Sequence, residues 1–231
     1  MCGIVALWNC GSEELAERMT RRIAHRGPDA LEIAEIGDGR SFFGHARLSI
    51  IGPEDGRQPM EAGERALVAN GEIYNHADLR DRVGAGRFTT RSDSETILRL
   101  DETGGDGRWI GELDGMWAFA LRRNGGVMAA RDPLGIKPLY AARMGEGVAF
   151  ASEAKAFDGL GLDVEAVPPG ALTGATGTRP WWSLPNAAHG LAGAPDPDAV
   201  AAELREVLER AVAKWMVADV EVGAFLSGGL D

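Results

Sequence analysis

Cysteine is scarce in this chain. Cys2 and Cys10 stand alone in 231 residues, at no metal-like spacing. That excludes a disulfide framework and a zinc site and points to a reducing compartment. Long apolar runs are missing too: Ile4 to Trp8 is too short for a signal core, and no basic segment precedes it. No stretch approaches the length of a membrane span, so the expected location is the cytoplasm and no membrane partner is implied. Lysine occurs only at 137, 155 and 214, which follows genome composition rather than function. Positive charge is in deficit overall, with a net charge of -11 and a pI of about 4.9. A phosphate-tracking nucleic-acid surface is therefore excluded as the main business of the protein, and small metabolites are the expected partners. What is present, 45% hydrophobic and 26% charged residues, is an ordinary globular composition. It suffices for one sizeable core, or for one domain plus part of another.

Gly3 to Trp8 reads as a buried strand. Ser12 then caps a helix whose Leu15, Met19 and Ile23 recur every four positions, with Arg21 and Arg22 in its last turn. Leu31–Ile36 and Ser41–His45, separated by Gly37-Asp38-Gly39, predict a hairpin. Arg65–Ala69 predicts a strand ending in Asn70-Gly71, after which Asn75 is placed to cap a helix through Leu79 and Val83. Ser92 to Leu100 offers another helix start, with Asp93 and Glu95 in its first turn. Four short strands follow, Met116–Leu121, Gly126–Ala130, Leu139–Ala142 and Val148–Ala151, patterned as an antiparallel meander. Met116–Leu121 is apolar on both faces, so it belongs between two packed layers, and two facing sheets with helices outside are expected.

Several stretches could carry chemistry. If Met1 is removed, Cys2 bears a thiol and a free α-amine on one Cα. A thiol with a pKa of about 8.5 is a weak nucleophile at neutral pH, whereas an α-amine at about 7.7 to 8.0 is a competent general base without tuning. Taken alone, Cys2 reads more readily as a small apolar residue leading into a strand. His25-Arg26-Gly27-Pro28-Asp29 and Gly44-His45-Ala46-Arg47-Leu48-Ser49-Ile50 each set Arg near Gly at an element end, where a guanidinium can grip a carboxylate with two charge-assisted bonds. A surface Arg is the plain alternative, and His25 and His45 are given no chemical role. Asn70-Gly71 offers a side-chain amide and a backbone amide side by side, which suits an oxyanion hole or, equally, a type I′ turn.

The ordered set of Cys2-Gly3-Ile4, HRGPD at 25–29, GHARLSI at 44–50, NGEIYN at 70–75, SDSE at 92–95, DGMWAFAL at 114–121, RDPLGIKPLY at 131–140 and FASEAKA at 150–156 resembles the class II glutamine amidotransferases. Within that class, HRGPD, NGEIYN and the terminal SGGLD are most similar to glutamine-hydrolysing asparagine synthetases. The resemblance implies an α+β fold, a four-layer αββα sandwich of two antiparallel sheets. It implies Cys2 as nucleophile and the Asn70 side chain and Gly71 amide as oxyanion donors. By the same resemblance Arg47 holds the glutamine α-carboxylate, Leu48, Ser49, Ile50 and Ile51 line the pocket, and Glu72 and Asp93 lie near the α-amino end.

A linker over 186–197, rich in Pro and Gly, separates an expected glutaminase domain at 1–185 from a segment at 198–231. There Asp196 caps and Pro197 starts a helix with Val200, Leu204, Leu208, Ala211 and Trp215 on one stripe, followed by a strand over Val220–Leu226. A strand entering Ser-Gly-Gly is how a phosphate site begins, although such a tripeptide is also common in flexible tails. The resemblance makes 198–231 the start of an ATP-pyrophosphatase synthetase domain, with Leu226, Ser227, Gly228, Gly229 and Asp231 on its ATP loop. The chain is expected to be a piece of a longer reading frame. No metal or cofactor is implied for the glutaminase half, and ATP and magnesium are implied for the synthetase half. The expected partners are glutamine and a synthetase domain in cis, with a homodimer left open. Two other readings remain: amidation or cyclisation of a different carboxylate acceptor, and a non-catalytic module that binds glutamine or a partner.

Overall fold

The structure is a computed structural model that describes residues 1–37, 39–105, 107–185 and 196–229. It divides into two units, Met1–Leu184 and Pro185–Asp231. Residues 186–195, most of the expected linker, and Asp231 of the expected ATP loop lie outside the described residues.

In chain order the first unit contains β1 (Gly3–Trp8), α1 (Glu13–Arg22), β2 (Ala30–Glu35), β3 (Phe42–Arg47), β4 (Met60–Ala62), β5 (Arg65–Ile73), α2 (His76–Val83) and α3 (Glu95–Gly104). It continues with β6 (Gly115–Arg123), β7 (Gly126–Arg131), β8 (Tyr140–Met144), β9 (Gly147–Ala151), β10 (Val164–Ala166), β11 (Ala171–Gly174) and β12 (Gly177–Pro180). The strands make two six-stranded antiparallel sheets, in the orders β10-β8-β9-β1-β3-β2 and β12-β11-β7-β6-β5-β4.

Strand periodicity sorts the side chains into layers, because successive residues point to opposite faces of a sheet. Ile4 and Ala6 of β1, Phe43 of β3, Ala66 and Val68 of β5 and Ala118 and Ala120 of β6 share one core. The small residues of β5 and β6 let the sheets approach, and Phe43, Phe150 and Ile4 fill the space from the other side. The alternate residues of β1, Val5 and Leu7, face α1 with Leu15, Met19 and Ile23. Trp117, Phe119 and Leu121 of β6 face α2 and α3, against Leu79, Ile97 and Leu98. The outcome is the expected αββα sandwich. Burying each such Leu, Ile or Phe contributes roughly 1.5–3 kcal/mol, so three cores of this kind dominate the stability.

Four local expectations are corrected in this first unit. The strands read as one meander are split: β6 and β7 lie in one sheet, while β8 and β9 cross to the other, where β9 pairs with β1. The Arg65 strand does not stop before Asn70 but continues to Ile73, because its ladder with β6 extends from Ala66–Arg122 to Ile73–Gly115. Helix α3 begins at Glu95, so Asp93 precedes it, and Asn75 occupies the N-cap of α2 without a side-chain cap bond. Asn75 instead donates to Glu112 O and accepts from Asp114 N.

In the second unit α4 (Pro197–Trp215) starts as expected, with Asp196 accepting from Asp198 N. None of its residues is buried. The segment Val220–Leu226 is not a strand, since no described segment pairs with it and a strand without a partner leaves its backbone groups to water.

Candidate active site

At one end of the sandwich the alternation that builds the inter-sheet core continues with polar residues. On β3 the inward series Phe43, His45, Arg47 ends in a guanidinium, and on β5 the series Ala66, Val68, Asn70, Glu72 ends in an amide and a carboxyl. Cys2 shares the parity of Ile4, one pair before β1 begins. A cavity opens there, lined by Cys2, Arg47, Leu48, Ile50, Ile51, Asn70, Gly71, Glu72 and Asp93, together with Met1, His45, Gly56, Ser94 and Lys137. The geometry thus brings together every cavity residue named from the sequence except Ser49. That residue is absent from the lining and its N–H donates to Asp29 Oδ2 at 2.7 Å.

The Cys2 thiol is held by both backbone groups of Leu48. Leu48 N lies 3.4 Å and Leu48 O 3.5 Å from Sγ. Burial pushes the thiol pKa up, the Leu48 N–H contact opposing it, so a base has to take the proton before Cys2 attacks anything. Cys2 precedes the first ladder pair of β1, and its carbonyl is instead held by Arg26 Nε at 2.8 Å.

Strand β5 supplies two donors. The Asn70 side-chain amide is 1% exposed, and neither of its polar atoms has a partner among the described residues. Such a group costs about 1–3 kcal/mol unless something completes it. Trp117, opposite Gly71, directs its N–H and C=O to Asp132, so the Gly71–Trp117 pair is a non-hydrogen-bonded one and the Gly71 N–H points to the outer edge of β5. On that edge Ala69 N is taken by Gln58 Oε1 at 2.6 Å and Ile73 N by Asp93 Oδ2 at 2.7 Å. Gly71 N, between them, meets no side-chain acceptor among the described residues. Glycine is required here by space, since a Cβ would lie 2.2 Å from Met116 O.

Arg47 donates to Gly52 O at 2.6 Å, and its remaining donors meet no protein acceptor among the described residues. Two acids, Glu72 and Asp93, line the same cavity. Burial raises the Asp93 carboxyl to about 6, against the Ile73 N–H that favours its charge. It also raises Glu72, which Lys137 holds down.

Sequence reasoning gave Lys137 and Asp132 no role, and read in Arg26 only a grip on a carboxylate, which here is that of Glu153. Lys137 is buried on the cavity wall, and burial draws its pKa down while Glu72 supports its charge. Its loop is fixed by Asp132, whose carboxylate accepts from Leu134, Ile136 and Lys137 N–H groups. The available signal was a rare lysine within RDPLGIKPLY. His45 lines the cavity but is pushed by burial down to about 3, so it stays neutral and is no proton carrier at neutral pH.

No group of three or more His, Cys, Asp or Glu side chains among the described residues could hold a metal ion, and no described helix is long and apolar enough to cross a membrane. Leu226 to Gly229 are exposed, with Ser227 Oγ accepting from Gly229 N at 3.3 Å. Gly229 is the last described residue, so the ATP loop named from the sequence is described only in part.

Comparison with known proteins places these features. The family described as glutamine amidotransferase domain matches residues 1–172, and the family described as asparagine synthase matches residues 203–231. An asparagine synthetase [glutamine-hydrolyzing] of Asparagus officinalis is 39% identical over all of this chain and 40% of its own length. A second of that name from Arabidopsis thaliana is 39% identical, with 41% of its length covered. The chain thus spans about 40% of the length of the curated relatives it matches. A glutamine phosphoribosylpyrophosphate amidotransferase from B. subtilis, solved with ADP and GMP, superposes with a TM-score of 0.64 at 23% identity, covering 77% of this chain and 48% of that one. That likeness carries the fold.

Proposed function

Since the chain belongs to the glutamine amidotransferase domain family, we propose that its first unit hydrolyses glutamine to glutamate and ammonia through Cys2. The carrying observation is the juxtaposition, on one cavity, of a half-buried thiol with two adjacent donors that meet no acceptor among the described residues, the Asn70 amide and the Gly71 N–H. Arg47 faces the substrate α-carboxylate as a planar fork, and Glu72 and Asp93 face its ammonium. Zwitterionic ends fixed in this way lay the side-chain amide against the thiol, and orientation of that kind supplies much of a rate enhancement.

After loss of Met1, the Cys2 α-amine takes the thiol proton as sulfur attacks the amide carbon. The carbonyl oxygen becomes an anion between Asn70 and Gly71. The α-ammonium returns its proton to the departing nitrogen, releasing ammonia and leaving a glutamyl thioester. Water, activated by the same amine, then yields glutamate and the free thiol.

The ammonia would serve ATP-dependent amidation of aspartate in a longer protein of the kind the curated relatives represent. On this reading residues 1–185 form the glutaminase domain, residues 186–197 the linker, and residues 198–231 begin the synthetase domain, which would use ATP and magnesium. The expected setting is the cytoplasm. Cys2→Ala tests the reading: ammonia release from glutamine should be abolished while the melting temperature stays near that of the parent. Unchanged release would refute it.

A further inference from the structure

A nucleophile at a chain terminus has a mechanical problem. The first residues of a domain fray unless they are tied down, and Cys2 lies outside the β1 ladder, whose first pair is Gly3–Ala46. Its carbonyl is anchored by one side chain, Arg26, which is itself a long and flexible group. What fixes Arg26 is therefore as important as Arg26 itself.

That fixing group is Glu153. The pairing of β9 with β1 is prolonged past Ala151 by a reciprocal contact, with Ile4 N donating to Ser152 Oγ at 2.9 Å and Ser152 N donating to Ile4 O at 3.0 Å. This sets the next residue, Glu153, beside the Cys2 end of β1. Its Oε1 accepts from Arg26 Nη1 at 2.8 Å, while Arg26 Nε reaches Cys2 O at 2.8 Å. Arg26 is only 8% exposed in its side chain, so this pair is shielded from water. Lys155 Nζ at 3.1 Å and His25 Nε2 at 3.0 Å also meet the Glu153 carboxylate, from its more exposed side. Burial alone would raise the Glu153 pKa, but hydrogen bonds from Arg26, Lys155 and His25 pull it down to about 2, so the carboxylate is charged throughout the working range.

Building on the glutaminase reading, we propose that Glu153 is a positioning residue, holding the Arg26 guanidinium so that its Nε fixes the Cys2 carbonyl and aims the thiol and α-amine at the bound amide. Glu153 touches no reacting atom and acts through Arg26. Its removal therefore impairs the chemical step and not glutamine binding, which rests on Arg47, Glu72 and Asp93.

The test uses the mature chain beginning at Cys2, with two readouts: kcat and KM for ammonia release, and the rate at which iodoacetamide alkylates Cys2, followed by peptide mass. Misplacement of about 1 Å can cost on the order of a hundredfold. Glu153→Gln, similar in shape but uncharged, should lower kcat roughly ten- to a hundredfold with KM near that of the parent. The reactivity of Cys2 should fall in parallel. Arg26→Lys, which keeps a charge for Glu153 but cannot span both groups, should do the same. The double variant should be no worse than Arg26→Lys alone, since both changes break one chain of contacts. Lys155→Met, on the exposed side, should leave kcat within about twofold, as exposed ion pairs contribute little. Wild-type kcat and Cys2 reactivity in Glu153→Gln, wild-type kcat in Arg26→Lys, or losses that multiply in the double variant would each overturn the relay. Failure of the parent chain to release ammonia would count against the glutaminase reading instead, and the alkylation rates would still decide the role of Glu153.

Discussion

Asn70 carries the clearest residue-scale consequence. Its amide is buried in a strand with no partner among the described residues, which costs stability in the free protein and is recovered when an oxygen anion forms beside it. Asn70→Ala should lower kcat roughly a hundred- to a thousandfold, or about 2.7–4 kcal/mol, because the contact belongs to the transition state. KM should change little. The variant should melt no lower than the parent, since an unsatisfied buried group is removed. A turn asparagine would behave oppositely, losing stability at normal turnover. Turnover per folded molecule, measured beside the thermal melt, separates the two. Asp93 makes a second prediction at this scale. Its folded pKa of about 6 exceeds the ordinary 3.8, so the native state binds the proton more tightly. The stability it contributes is present below about 4 and is lost as pH rises towards about 6. Asp93→Asn keeps an oxygen for Ile73 N but lacks this titration. The melting temperature of the parent minus that of the variant should therefore fall across that window, and KM for glutamine should rise. A difference independent of pH would mean that Asp93 is not desolvated as described.

Elements deliver these residues, and their legibility in the sequence was uneven. Local rules sufficed where the cause is local. Ser12 accepts from Leu15 N at 3.2 Å, and α1 packs the expected Leu15 and Met19 stripe onto β1. Ser12→Ala should cost about 0.5–2 kcal/mol, seen as a lower melting temperature with unchanged kcat per folded molecule. The two-sided apolarity of Met116–Leu121 likewise announced a strand between layers. What was not legible depends on remote partners. Asn70-Gly71 carries a turn signature, yet the long ladder with β6 draws it into a strand, as tertiary pairing overrides local preference. The apolar alternation of Val220–Leu226 matches that of true strands but pairs with no described segment. The assignment of β8 and β9 to the sheet of β1 depends on long-range pairing that no local pattern encodes, and with it goes the placement of Glu153. The roles of the site residues drawn from the sequence came from the motif resemblance, whereas the role of Lys137 and the hold of Arg26 on Cys2 O emerge from burial and contact alone.

At the scale of the whole molecule, the residues that build the cavity and all three cores lie in Met1–Leu184. A chain ended after Leu184 should fold, melt within a few degrees of the 231-residue chain and keep its rate of glutamine hydrolysis; a collapse of the melt would show that Pro185–Asp231 completes the first unit. The central claim is more particular: the thiol and α-amine of one residue perform the chemistry, and this requires Cys2 to be the first residue. The direct measurement is covalent capture by a glutamine analogue bearing an electrophilic carbon in place of the amide, with intact mass and peptide mapping of chains that do and do not retain Met1. The account predicts one adduct per molecule, on Cys2, forming rapidly in the Cys2-initiated chain and at a small fraction of that rate when Met1 is retained. Equal labelling of the two forms, or an adduct on another residue, would contradict it.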